Sequence, residues 1–381
     1  VSEVVADPGD EARVHHRDYD LVTQRMSRHT VATLVAAAVT VVGAVTMAAV
    51  PLPYVRFQRG TTVDLLSEVR GTERIQVEGH KTYPDDGELR MTTIRATPPK
   101  TGVPLLSAMI AWLSEDEAVR PAEDVYGASD TAVSEQKQSA VQMSTSQDVA
   151  IAAALEHLGI KVPSVPVVGP ISPGYPADGA LAERDRYVSI AGHPIRVWDD
   201  VVRVISHATP DKPLTFVVER DGKKLSVPVT PRVVDGRTVI GVQAAFDYKF
   251  PFKVTINLPD QIGGPSAGLM FALAIADTLT PGSLTGGAHI AGTGEMLNAE
   301  GLVGPIGGIQ QKIVGARQDG ASLFLVPASN CDEAVTAHPG SMRLAAVATL
   351  DDAEKTVSLY AADHRAKLPT CEEVLQHDRA Q

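Results

Sequence analysis

The chain has 381 residues, 44% hydrophobic and 21% charged, with a formal net charge of -12 and two cysteines. That length has room for about two or three domains, and the composition is close enough to the globular average for most of it to bury a core. The acidic balance argues against a nucleic-acid binder, which carries a basic face, and by itself it names no partner.

Residues 1–29 are polar and charged without a sustained apolar period, and they read as a tail. Val31 to Val50 follows without a single charge, bracketed by Arg28-His29 and by Pro51. At 1.5 Å per residue such a helix spans roughly 30 Å, the thickness of a bilayer hydrocarbon core. A buried helix of a soluble core is one alternative, since such a helix can also be apolar all the way round. A cleaved signal peptide is the stronger rival, because Ala48 and Ala49 are small residues near the end. Its apolar region normally runs about 7–15 residues and starts close to the N-terminus, so an uncleaved anchor over 30–51 is expected. Arg13, Arg17, Arg25 and Arg28 precede the span, whereas Arg56 and Arg59 follow it. That bias puts the N-terminus in the cytoplasm and the larger part outside the cell membrane.

Within 52–145, Gly87 to Arg95 alternates in part between apolar and polar residues and reads as a strand. Leu105 to Val119 has helical spacing in its first half, and the polar stretch Ser129 to Gln138 reads as a mobile linker. A second helix is expected from Ser146 to Leu158, stopped by Gly159. From 164 to 230 short apolar runs alternate with Pro, Gly and Asp, and one helix is expected around Trp198 to His207. Arg220-Asp221-Gly222-Lys223 is a hairpin signal, since Asp-Gly accommodates the positive φ of a tight turn.

The segment 146–235 resembles a PDZ domain through Ser172 to Leu181, Asp185, Val188 to Ile195 and Glu219 to Gly222. One departure is Arg184, where bacterial relatives usually have Gly before the Asp. The resemblance implies a loop presenting backbone N–H groups to a peptide C-terminus, with the peptide adding a strand to the sheet edge. Leu158-Gly159-Ile160 is the candidate for that loop; the alternative is that Gly159 merely ends a helix.

Residues 236–381 carry the chemistry. Gly264-Pro-Ser-Ala-Gly268 leads into the apolar run Leu269 to Ala276. A serine at the junction of a Gly-rich turn and a helix has its Oγ exposed, and the first helical N–H groups can hold developing negative charge. Small residues there could equally serve close helix packing. Further on, Gly304-Pro-Ile-Gly-Gly-Ile-Gln-Gln-Lys312 brings a lysine into a second Gly-Gly turn feeding a helix. Serine is a weak nucleophile that needs a base. A lysine can serve if burial lowers its pKa from ~10.4 toward 7–8, at a penalty of roughly 3–4 kcal/mol. Ser–Lys pairs are an established variant of triad logic.

Gly264 to Gly268, Thr293-Gly-Glu295 and Gly304 to Ile309 with Lys312 resemble the proteolytic domain of Lon. Leu279 to Gly287 and Asn330-Cys331 further resemble membrane-anchored, PDZ-containing Lon-like serine proteases of the YlbL type. The resemblance implies an α+β chain: a single N-terminal transmembrane helix, a PDZ-like β-rich domain and a Lon proteolytic domain of ribosomal-S5-like α+β fold. It implies Ser266 as nucleophile, Lys312 as base and Thr293 as an orienting hydrogen-bond partner, with Ala267 and Gly264 supporting the turn. Lon often has an acid three residues before the serine; here that position is Gly263 and the nearest acid is Asp260. Homo-oligomers, most simply hexamers, and protein or peptide substrates are also implied. The PDZ unit would be inserted between the 52–145 piece and the Ser/Lys half, which should meet in space.

No cofactor is expected, and without HExxH or clustered Cys/His ligands no metal either. His289 reads as a packing residue beside Ala and Ile. Two other classes stay open: a phosphate-binding, kinase-like protein using the same Gly-rich turn, and a non-catalytic PDZ scaffold on an inactive core. Cys331 and Cys371 would lie in an oxidising space, where a disulfide is permitted; two free thiols are the alternative.

Overall fold

A computed structural model describes residues 27–378, apart from positions 70 and 260. The tail read over 1–29 therefore lies, up to residue 26, outside the described residues, as does Asp260. The chain divides into two units, 1–50 and 51–381.

In the first unit, α1 (Arg28–Ala49) starts at Ser27, whose hydroxyl accepts from the Thr30 N–H. Thr33, Thr40 and Thr46 donate their hydroxyls to carbonyls one turn back. These bonds satisfy the helix's own polar groups, so its surface is apolar with a mean hydropathy of 2.2, and the helix is long enough to cross a membrane.

The second unit opens with β1 (Pro51–Leu52), β2 (Tyr54–Asp64), β3 (Glu88–Ala96) and β4 (Val103–Pro104), the last running into α2 (Leu105–Leu113). After β5 (Ala118–Pro121) comes α3 (Ala132–His157). This helix overturns the linker expected at 129–138. Thr131 caps it, accepting from the Ser134 N–H while Ser134 accepts from the Thr131 N–H. A polar stretch that faces solvent along half its length is compatible with a helix when its start is satisfied in this way.

The β-rich unit contains β6 (Ser164–Ile171), β7 (Arg186–Ile190), α4 (Trp198–Ser206), β8 (Leu214–Arg220), β9 (Lys223–Val229) and β10 (Val242–Tyr248). Its strand order is β9-β8-β7-β6-β10, antiparallel throughout. It is PDZ-like, with its own core around Tyr187, Phe216 and Val218. Because β10 pairs along β6, the unit extends to residue 248, beyond the boundary expected at 235. At its other end, residues 146–157 belong to α3, which packs into the larger hydrophobic core outside this unit. The β8–β9 turn has Asp221 at φ 51° and Gly222 at φ 73°, the two positive values a tight hairpin needs. Arg184 sits at φ 70°, a conformation that favours glycine. Its guanidinium reaches Asp148 on α3 at 3.1 Å.

The elements that position the site are α5 (Gly268–Leu279), β11 (His289–Gly292), α6 (Ile309–Gln318), β12 (Leu323–Pro327), α7 (Cys331–Ala334), β13 (Arg343–Val347), α8 (Leu350–Ala362) and α9 (Cys371–Asp378), beside shorter strands. One sheet runs β13-β12-β11-β3-β2-β5. Its centre is the parallel pairing of Glu88–Met91 with His289–Gly292, so strands from both sides of the PDZ-like segment share one sheet. Helix α5 is buried at every residue. It lies in one core with α3, α8 and one face of this sheet. Cys331 and Cys371 are joined in a disulfide, Cα–Cα 4.9 Å, between the starts of α7 and α9.

Candidate active site

Ser266 lies at the end of the Gly-rich turn, one residue before Ala267, the N-cap of α5. Three contacts hold that turn. The Gly264 N–H donates to the Ser139 carbonyl at 2.9 Å, and the Ser146 hydroxyl donates to the Pro265 carbonyl at 3.0 Å. The Ser266 carbonyl accepts from the Gly294 N–H at 2.8 Å. Gly268 permits the close approach that follows: a Cβ there would fall 2.7 Å from the Met296 nitrogen. Ser139 and Ser146, both on α3, were not identified from sequence as part of this turn's support. The only available signal was a serine spacing of seven, two helical turns.

Lys312 comes from the first turns of α6. Gly308, the N-cap, has φ 70°, and this left-handed residue turns the chain from the Gly304–Gly307 loop into the helix. The loop is held from outside. The Ile306 N–H donates to Asn330 Oδ1 at 2.8 Å, and Asn330 Nδ2 donates to the Ile306 carbonyl at 2.9 Å.

The lysine is 1% exposed. Its Nζ lies 2.6 Å from Ser266 Oγ and 2.9 Å from Thr293 Oγ1. Thr293 donates its own hydrogen to the Ser266 carbonyl at 2.9 Å. Its oxygen is therefore left to accept from the lysine, which directs another position of the amine at Ser266. Burial pushes the Lys312 pKa down to about 7.

A cavity of about 570 Å³ opens over Ser266 and Lys312. Its walls are Thr92 to Arg95 of β3, Met143 of α3, and Gln261 to Gly264. Ser266 is half-buried in it, so its hydroxyl faces both the lysine and the open cleft. Such an arrangement can pass a proton from a hydroxyl to a neutral, buried amine.

Two sequence expectations fail. Leu158-Gly159-Ile160 does not offer free N–H groups: Leu158 donates to Ala154, Gly159 to Glu156 and Ile160 to Leu155. The tripeptide closes α3, and Leu158 and Ile160 pack against the core that holds α5. The sheet edge beside β6 is instead β10, entered through Ile240-Gly241 with Gly241 at φ 81°. His289 is not a packing residue either; its ring is exposed, with Nδ1 3.8 Å from Glu88. Among the described residues no group of three or more His, Cys, Asp or Glu could hold a metal ion.

Residues 248–357 match the Lon protease (S16) C-terminal proteolytic domain. A Lon protease of Campylobacter concisus is 33% identical over 144 residues, covering 35% of this chain and 17% of that protein. The zinc metalloprotease RasP of Geobacillus kaustophilus is 40% identical over 82 residues, covering 20% of this chain and 19% of that protein. The chain thus spans less than a fifth of either relative's length. Among solved structures, the PDZ domain of an SdrC-like protein from Listeria monocytogenes aligns at 16% identity with a TM-score of 0.20, covering 21% of this chain and 86% of that one. The likeness to Lon proteases thus falls on the segment that holds Ser266, Thr293 and Lys312, and the N-terminal helix is long and apolar enough to cross a membrane.

Proposed function

We propose that this chain is a serine endopeptidase that hydrolyses peptide bonds in proteins with Ser266 and Lys312. The observation that carries the reading is the 2.6 Å approach of a buried Lys312 amine to Ser266 Oγ at the floor of an open cleft. Neutral Lys312 takes the Ser266 proton as Oγ attacks the peptide carbonyl. The Ala267 N–H stabilises the oxyanion; those of Gly268 and Leu269 already donate to the Pro265 and Gly294 carbonyls. Lys312 then returns the proton to the leaving amine, and water, deprotonated by the same amine, releases the acyl group. Thr293 orients the lysine throughout.

The protein is held in the cell membrane by 31–50, with its N-terminus cytoplasmic and its catalytic part outside. The PDZ-like unit captures a substrate or partner peptide along the open edge of β10. The catalytic parts assemble as homo-oligomers, hexamers in the simplest ring, which restricts access to the open cleft. A fully active species that stays monomeric at all concentrations rules out the ring.

The deciding experiment is reaction with a serine-directed fluorophosphonate, read by intact mass. Wild-type protein gains one adduct on the peptide containing Ser266, and Ser266→Ala gains none. An unreactive wild type, or labelling that survives in Ser266→Ala, rejects the assignment.

A further inference from the structure

Helix α2 is built inside out. Its buried positions are Ala108 and Ala111, packed toward β2 and β5, while its large apolar side chains point to solvent. Leu106, Met109 and Ile110 are about half exposed, and Trp112 and Leu113 are 79% and 77% exposed. No charge falls between Leu105 and Leu113; the first is Glu115. A soluble surface does not usually leave five large apolar side chains of one short helix in water, and an unbroken patch of this kind marks a contact surface.

Its place in the chain says what covers it. Helix α2 starts directly after β4, and β4 pairs with β1: Pro51 lies opposite Pro104 and Leu52 opposite Val103. Strand β1 begins two residues after α1 ends. Two residues of chain reach about 7 Å and paired strands lie ~4.8 Å apart. By chain connection alone Pro104, the N-cap of α2, is tethered within about 12 Å of Ala49, where the apolar span ends. Tyr54, Lys100 and Tyr126 line the cleft around the same β1 ribbon, and aromatic and basic residues of this kind gather at the headgroup level of a bilayer.

We infer that α2 lies in the headgroup region of the bilayer with Leu106, Met109, Ile110, Trp112 and Leu113 immersed, a second membrane contact that docks the catalytic unit on the surface. The inference rests on the reading of 31–50 as the anchor. The lipid surface, unlike a second copy of the chain, is within reach of α2 at every protein concentration, so the tether alone makes it the favoured occupant.

The test uses the full chain in phosphatidylcholine vesicles with brominated acyl chains, which quench only tryptophans in contact with lipid. The chain has two tryptophans, Trp112 and Trp198. Brominated lipid is expected to quench about half of the wild-type emission and none of that of Trp112→Phe. An environment-sensitive dye on Ala38→Cys reports separately on the anchor. Dye in lipid with no Trp112-dependent quenching overturns the docking while the anchor stands. If aqueous acrylamide then also fails to reach Trp112, another copy of the protein covers the face. Dye left in water refutes the anchor itself, and the docking falls with it.

Discussion

Asn330 grips Ile306 by both backbone groups, accepting from its N–H at 2.8 Å and donating to its carbonyl at 2.9 Å. The side chain is 5% exposed. Its amide thereby fixes the middle of the loop that delivers Lys312, although it touches neither Lys312 nor Ser266. It is a positioning residue.

Asn330→Ala should leave two backbone groups of this loop without a partner and cost about 1–3 kcal/mol of stability. A shift of the lysine by even ~1 Å is expected to lower kcat between 10- and 100-fold. Water admitted beside Lys312 should move the acid limb of the pH–rate profile upward. A mutant that loses stability but keeps kcat and its pH profile would show that Asn330 serves the fold alone.

The burial of Lys312 has a double signature in pH. Folded, it titrates at about 7, against 10.5 when unperturbed. Activity should climb about tenfold per pH unit below 7 and level off above, as the neutral amine becomes the major form. Stability runs on a different window. A lysine whose pKa is lowered by folding weakens the fold in full below about 7, and the penalty disappears as pH rises toward 10.5. The gap amounts to about 5 kcal/mol at most. Lys312→Met should therefore be inactive yet melt higher than wild type at pH 7, by about 2–4 °C for each kcal/mol recovered. The advantage should shrink toward pH 10. Melting curves at the two pH values decide it; a methionine variant that melts lower at pH 7 would mean that the bonds to Ser266 and Thr293 outweigh desolvation.

The two Gly-rich turns that feed helices were legible at Ser266 and Lys312, but local chemistry left close helix packing open at the serine, and it was the resemblance to Lon that paired the two residues; the structure brings them within 2.6 Å. The strands of both halves were legible, since alternation and Asp-Gly turns act over a few residues. What escaped depended on distant contacts. The helical start of α3 was hidden by its polar face, and with it the role of Ser139 and Ser146 under the Ser266 turn. Leu158-Gly159-Ile160 and Ile240-Gly241-Val242 look alike in sequence. Only the pairing of β10 with β6, and the closing of α3 by Gly159, tells a sheet edge from a helix end. The outward apolar face of α2 was likewise invisible, because helical spacing does not say which side is buried.

Asp277 and Asp85 form a second titrating pair at the far end of α5. Asp277 is 4% exposed. Oδ1 accepts from the Leu284 N–H, but Oδ2 has no partner. Burial and the adjacent Asp85 push its pKa up to about 7. Burial also acts on Asp85, but hydrogen bonds from Thr285, Gly87 and Ser283 outweigh it and hold that carboxyl below its usual range. The sign for Asp277 follows: a carboxyl raised by folding loses stability as pH rises from about 4 to about 7. Asp277→Asn keeps the acceptor for Leu284 and replaces the orphaned oxygen with a donor facing Asp85. It should melt above wild type at pH 8 and close to it at pH 4. An asparagine variant that melts lower than wild type at pH 8 excludes the charge cost as the dominant effect.

The disulfide offers the last test, because it ties the C-terminal helix to the side of the sheet that carries Lys312. Cys331 and Cys371 are 40 residues apart in sequence and both sulfurs are buried in one cluster with Ile309, Ile313 and Phe324. In the chain-entropy picture, opening a loop of that length releases about 4 kcal/mol into the unfolded state. The replacement Cys331→Ala with Cys371→Ala should thus lower the melting temperature and free α9, while kcat falls little because Asn330 still holds Ile306. Selective release of α9 predicts faster amide exchange at 371–378 than at 309–318 in the variant. Exchange that accelerates equally in both segments would mean that α6 depends on the bridge, and the activity should then fall with it. Mass spectrometry of non-reduced peptides from membrane-exported protein should find the two cysteines linked; two alkylatable thiols in that sample would remove both the bridge and a support for the extracytoplasmic location.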